Sequence, residues 1–135
     1  MLTNSELKML VDFLLEKLSP AVIYLFGSEA ADQTHQSSDI DLAFLSETSI
    51  SDYERFMLAQ ELATITKRDV DLIDLNKTTT VFQIQVISTG KVLYCDNETK
   101  LAEFEVLVMK KYARLNEERQ AIIDDIIERG NVYGQ

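Results

Sequence analysis

The chain has 135 residues, with 13 Lys+Arg against 23 Asp+Glu and a formal net charge of −10. With 46% hydrophobic and 27% charged residues it suits one domain with an ordinary core, which excludes wholesale disorder. The charge argues against direct binding to nucleic acid or to an anionic membrane, which call for basic surface, and favours a small-molecule, metal or basic protein partner.

Thr3 or Asn4 caps a first helix running to about Leu18, with Leu7, Leu10, Val11, Leu14 and Leu18 at helical spacing, and Pro20 stops it. Residues 22–26 are rich in β-branched and aromatic side chains and read as a buried strand, ended abruptly by Gly27-Ser28. Residues 29–38 are small and polar, a turn of helix followed by loop. A second strand covers 39–45 and pairs beside the first. Ser51 caps a helix over 52–66 carrying Phe56, Leu58, Ala59, Leu62 and Ile65. A third strand spans 70–75, a helix 79–88 ends at Gly90, and 91–94 forms a short strand at a sheet edge. From Asn97 the pattern is helical to about Arg129, as one helix or two, with Gly130 as the stop. The expected fold is α+β: a small mixed sheet covered by helices, one domain over 1–135 with a helical extension at 97–129.

No apolar run approaches the roughly 20 residues of a bilayer span. The first residues, Met1 to Glu6, lack the basic and apolar segments of a secretion signal. A lone cysteine, Cys95, forms no internal disulfide, so a cytoplasmic location is expected.

Chemistry concentrates in the second and third strands. Asp39 and Asp41 are two residues apart, so strand alternation aims both carboxylates to one face, roughly 6.6 Å apart along the chain. Aspartate is a poor strand former, and such local violations mark function. The third strand carries Asp69, Asp71 and Asp74. Asp71 is the candidate to join the pair, because Asp69 stands at the strand entrance and Asp74 has the opposite parity. Three carboxylates about 5 Å apart repel by roughly 3 kcal/mol per pair at an effective dielectric near 20. A divalent cation or raised pKa values relieve that, and oxygen-only ligands select Mg²⁺ or Mn²⁺. Gly27 lets the backbone approach a ligand, and Ser28 offers a hydroxyl and an N–H where a phosphate is favoured.

Gly27-Ser28, ten residues, then Asp39-Ile40-Asp41 resembles the signature of the nucleotidyltransferase superfamily that includes DNA polymerase β. The short length is similar to its minimal branch, the MNT antitoxins of HEPN-domain toxins, and Gly90-Lys-Val-Leu-Tyr94 is a phrase typical of that branch. The resemblance implies a polymerase β palm-like fold. It implies that Asp39 and Asp41 bind two Mg²⁺ ions, that Asp71 is the third carboxylate near the attacking hydroxyl, and that Gly27 and Ser28 hold the terminal phosphates of ATP. It further implies Mg²⁺-dependent transfer of AMP to a tyrosine of a HEPN ribonuclease toxin, which the antitoxin also binds.

Many minimal members read Gly-Ser-Arg-x-Arg-Gly, whereas Glu29, Ala30, Ala31 and Asp32 follow Ser28 here. Two cations that would neutralise triphosphate are missing; Lys91, Lys67 and Arg68 are candidate replacements. Two alternatives follow: a binding-only antitoxin with a degenerate nucleotide site, and a nucleotidyltransferase acting on a small molecule. The second normally needs an acceptor-binding domain that 135 residues do not accommodate. His35 reads as a solvated loop residue and Cys95 as core packing. The last helix carries Leu101, Phe104, Val108, Tyr112, Leu115, Ile122 and Ile126 in one stripe. At 1.5 Å per residue it spans about 45 Å, more than a small sheet covers, so its distal half is a candidate partner surface.

Overall fold

The computed structural model describes residues 2–27 and 39–133. Helix α1 (Asn4–Leu18) opens on a capping box, in which the Thr3 side chain accepts from the Glu6 N–H and Glu6 answers the Thr3 N–H. It closes on Ser19 in the left-handed region, just before Pro20. Strands β1 (Val22–Phe26), β2 (Ile40–Leu45), β3 (Val70–Asp74) and β4 (Lys91–Cys95) form one mixed sheet in the order β3-β2-β1-β4. The β1–β2 and β1–β4 pairs are antiparallel, and the β2–β3 pair is parallel.

That parallel pair requires a crossover, which α2 (Asp52–Thr66) supplies, capped by Ser51. A short 3-10 helix, Leu75–Lys77, then leads to α3 (Thr80–Thr89), capped by Thr79. Gly90 closes α3, but not through a left-handed cap: its φ is −82°. A side chain there would press on the Val86 and Leu25 carbonyl oxygens instead. The last element, α4 (Glu98–Tyr133), is one helix of 36 residues. The expected stop at Gly130 does not hold; its exposed position has no neighbour within 4 Å, and the helix runs through it.

The sheet separates two apolar layers. On one face Ile23, Leu25, Ile40, Leu42, Phe44 and Leu72 meet α1 and α2 through Leu10, Leu14, Ala59 and Leu62. On the other, Val22, Tyr24 and Ala43 meet Val86 of α3 and Leu101 and Phe104 of α4. Of the apolar residues carried by α2, Phe56 and Ile65 are on the surface, 56% and 38% exposed. Among the described residues no helix is long and apolar enough to cross a membrane.

Candidate active site

Strand register builds the site. Cα partners run Phe26↔Asp41 across β1–β2 and Asp41↔Asp71 across β2–β3, so one cross-strand row reads Phe26, Asp41, Asp71. Paired residues share a face. The row lies on the face of Tyr24 and Ala43, which α3 and α4 cover, and at the end of the sheet where β1 stops and β2 begins. Asp39 stands just before β2 and is exposed, as is Asp71, while Asp41 is half-buried.

The carboxyl of Asp41 is pushed above its ordinary value of 3.8, first by loss of water and then by the charges of Asp71 and Asp39. Gly27 presses on the same side chain. Its φ is +73°, and a Cβ built there would collide with Asp41 Oδ2 and stand 3.1 Å from Cγ. Glycine is therefore required twice, for the left-handed turn and for the space Asp41 occupies. Asp69, just before β3, and Asp74, at its end, are used differently. The Asp69 carbonyl accepts from Ile40 N–H at 2.9 Å, and Asp74 is buried with its carboxylate accepting from Asn76 N–H at 3.0 Å.

Phe26 flanks Asp41 on the side away from Asp71 and meets Phe82 of α3 edge to face, with ring centroids 5.6 Å apart. This aromatic wall is absent from the sequence reading, because a phenylalanine ending an apolar strand looks like core. Lys91 pairs with Leu25, so alternation assigns it to the face opposite Asp41. Ser28, Glu29, Ala30, Ala31, Asp32 and His35 lie outside the described residues.

Among the described residues no three acidic, histidine or cysteine groups are gathered closely enough to hold a metal ion by themselves. The donors still suit a hard cation: they are all oxygens, open to solvent on one side, with like charges that a divalent ion offsets. Mg²⁺ is typically held by one or two carboxylates together with water and substrate phosphates rather than by a complete protein cage.

The family model described as Polymerase beta, Nucleotidyltransferase matches residues 8–99. The protein adenylyltransferase MntA of Shewanella oneidensis (strain MR-1) is 42% identical over 106 residues, or 78% of this chain and 76% of that protein. A solved toxin–antitoxin with AMP-PNP superposes with a TM-score of 0.81 at 37% identity, covering 90% of this chain and 98% of the other. A second solved structure, tri-AMPylated Shewanella oneidensis HEPN toxin in complex with MNT antitoxin, gives 0.76 at 35% identity, covering 91% and 97%. By both sequence and fold, this chain belongs to the polymerase β nucleotidyltransferase family.

Proposed function

We propose that this protein is an antitoxin that transfers AMP from ATP to a tyrosine of its cognate HEPN toxin and holds that toxin in a complex. The observation that carries the reading is the register setting Asp71 against Asp41 beside the Gly27 turn. Its support from relatives is a similar protein adenylyltransferase and a similar antitoxin solved with an AMPylated toxin.

In this reading Asp39 and Asp41 hold Mg²⁺, with Mn²⁺ as a substitute, and Asp71 completes the carboxylate set. Bound there, two such ions supply positive charge along the triphosphate and at the departing pyrophosphate. Gly27 brings backbone close to the terminal phosphates, and Ser28 adds a hydroxyl. Asp71 accepts the proton of the acceptor tyrosine as its oxygen attacks the α-phosphorus in line. A new P–O bond forms, the bond to the bridging oxygen breaks, and pyrophosphate leaves. Residues 1–135 act as one minimal nucleotidyltransferase domain, with the distal helix as its extension. Use of ATP and a lone cysteine fit a cytoplasmic protein.

The test is incubation with Mg²⁺, labelled ATP and the HEPN toxin from the neighbouring gene, followed by mass spectrometry of the toxin. AMP on a tyrosine is expected, with Asp39→Asn abolishing transfer and Asp71→Asn slowing it by about 10²–10⁴-fold, the range for a lost general base. The substitution of Glu29 and Ala31 for two arginines favours a second reading, a binding-only antitoxin. Tight complex formation with an unmodified toxin mass would establish that reading and overturn the first.

A further inference from the structure

Ala59 and Leu62 seat α2 on the sheet, and Arg55 lies on the same stripe, four residues before the first and seven before the second. An arginine on an apolar stripe is a local inconsistency, since a leucine there would bury more apolar surface. The structure shows what the arginine does instead. Arg55 is half-buried, and its Nη1 donates to the Leu72 carbonyl of β3 at 2.9 Å. Its Nη2 stands 3.7 Å from Asp52 Oδ1, one turn earlier on the same helix.

β3 is an edge strand of the sheet, and it carries Asp71. Its ladder to β2 uses alternate residues. The Asp69 carbonyl accepts from Ile40 N–H at 2.9 Å, which turns the backbone of Asp71 and Ile73 toward β2 and that of Leu72 outward. Leu72 is 1% exposed, so its outward carbonyl needs a partner from the protein, and Arg55 is that partner. The same strand is pressed away from β2 near its start, where Asp71 and Asp41 face each other and repel. Arg55 therefore grips β3 one residue beyond the point at which the repulsion acts.

We infer that Arg55 is a positioning residue for Asp71: by tying the outer edge of β3 to α2, it fixes where that carboxylate stands against Asp41 and an incoming acceptor. The inference rests on the role given to Asp71 in the function proposed above. Arg55 acts through the strand and not by touching the carboxylate. Alternation sends the Asp71 side chain to the face covered by α3 and α4, whereas α2 lies on the other. A hydrophobic residue at this position would seat the helix equally well, yet leave the strand free to yield outward under the repulsion.

The experiment compares the unsubstituted full-length chain with Arg55→Met, which keeps the stem and removes the donor, and Arg55→Lys, which restores one donor. Transfer is measured with toxin, Mg²⁺ and labelled ATP at a temperature where every chain is folded. Arg55→Met is expected to lower kcat by about 10- to 100-fold, with KM for ATP within about twofold of the parent. Arg55→Gln, whose amide stops short of β3, should behave alike, and Arg55→Lys should recover most of the loss. Hydrogen exchange at the Asp71 and Ile73 amides should quicken by about tenfold or more in Arg55→Met. Tyr24→Phe, a destabilised chain whose lost contact holds α4 and not β3, should keep the parent kcat. An unchanged kcat in Arg55→Met, or an equal loss in Tyr24→Phe, overturns the inference. So does a dimer of Arg55→Met whose chains keep full kcat, because the arginine would then only guard the sheet edge. Absence of transfer in the unsubstituted chain overturns the proposed function instead, and exchange at Asp71 and Ile73 still decides whether Arg55 holds β3.

Discussion

Asp41 has lost part of its water, faces Asp71 across the parallel ladder and has Asp39 two residues before it, and all three influences raise its proton affinity. Unfolded, the carboxyl titrates near 3.8; folded, it titrates higher. At neutral pH it is charged in both states and the folded chain alone bears the penalty. That penalty fades as pH falls through the folded value and is gone below the unfolded one. Asp41→Asn should therefore melt above the parent protein at pH 7 without divalent ions, converge with it near pH 3, and lose any stabilisation by Mg²⁺. A lower melting point for the variant at pH 7 would refute the repulsion. Asp39 and Asp41 were legible in the sequence because aspartates interrupt an apolar strand, and Asp71 because strand parity separates it from Asp74. Phe26 and Phe82 were not, since an apolar side chain beside a site and one inside a core have the same composition signal.

Among the elements, α4 is fastened to the sheet by a polar contact as well as by packing. The buried Tyr24 hydroxyl donates to Glu105 Oε1 at 2.8 Å. Burial first, and then the hydrogen bond and charge of Glu105, push the phenol far above its ordinary 10.0. The stabilisation is therefore complete below pH 10 and is lost as pH rises past it, because the unfolded tyrosine ionises first. Tyr24→Phe should lower stability by about 1 kcal/mol at pH 7. Urea midpoints measured from pH 7 to 11 should show the parent protein converging with the variant at the alkaline end; parallel curves would mean that the contact does not form. Sequence patterns located α1 to α4 and β1 to β4, most ends falling within a residue or so, but the 3-10 helix Leu75–Lys77 was read partly as strand and the last helix runs on to Tyr133. They failed where an exposed position decides the outcome. Gly130 costs a helix about 1 kcal/mol relative to alanine, too little to end one that is otherwise continuous. Phe56 and Ile65 lie about 180° apart on α2, to either side of the stripe of Ala59 and Leu62 that meets the sheet, and both are exposed.

For the molecule as a whole, a net charge of −10 on 135 residues sets acid against acid over most of the surface. Raising ionic strength from about 0.01 to 0.15 M shortens the Debye length from about 30 to 8 Å. The melting temperature should rise across that range in NaCl alone, and calorimetry showing a fall would mean that local ion pairs such as Lys100–Glu47 outweigh the general repulsion. The adjacency of β1, β2 and β3 could be read from sequence because the carboxylates needed a common end. The place of β4 beside β1 could not, since a five-residue edge strand pairs equally well with either free edge in pattern alone.

The parallel pairing of β2 with β3 also sets the order in which the molecule comes into being. Phe26 and Asp41 are 15 residues apart and meet in an antiparallel pair, whereas Asp41 and Asp71 are 30 apart and meet only after α2 has closed the crossover. The second closure is the longer one and is opposed by the repulsion it creates. A nascent chain finished through Leu45 can already pair its first two strands, yet it lacks Asp71 and so holds only part of the carboxylate row. On the function proposed above, chemistry becomes available only once β3 has left the ribosome and docked, so each new molecule would stay catalytically silent for most of its synthesis.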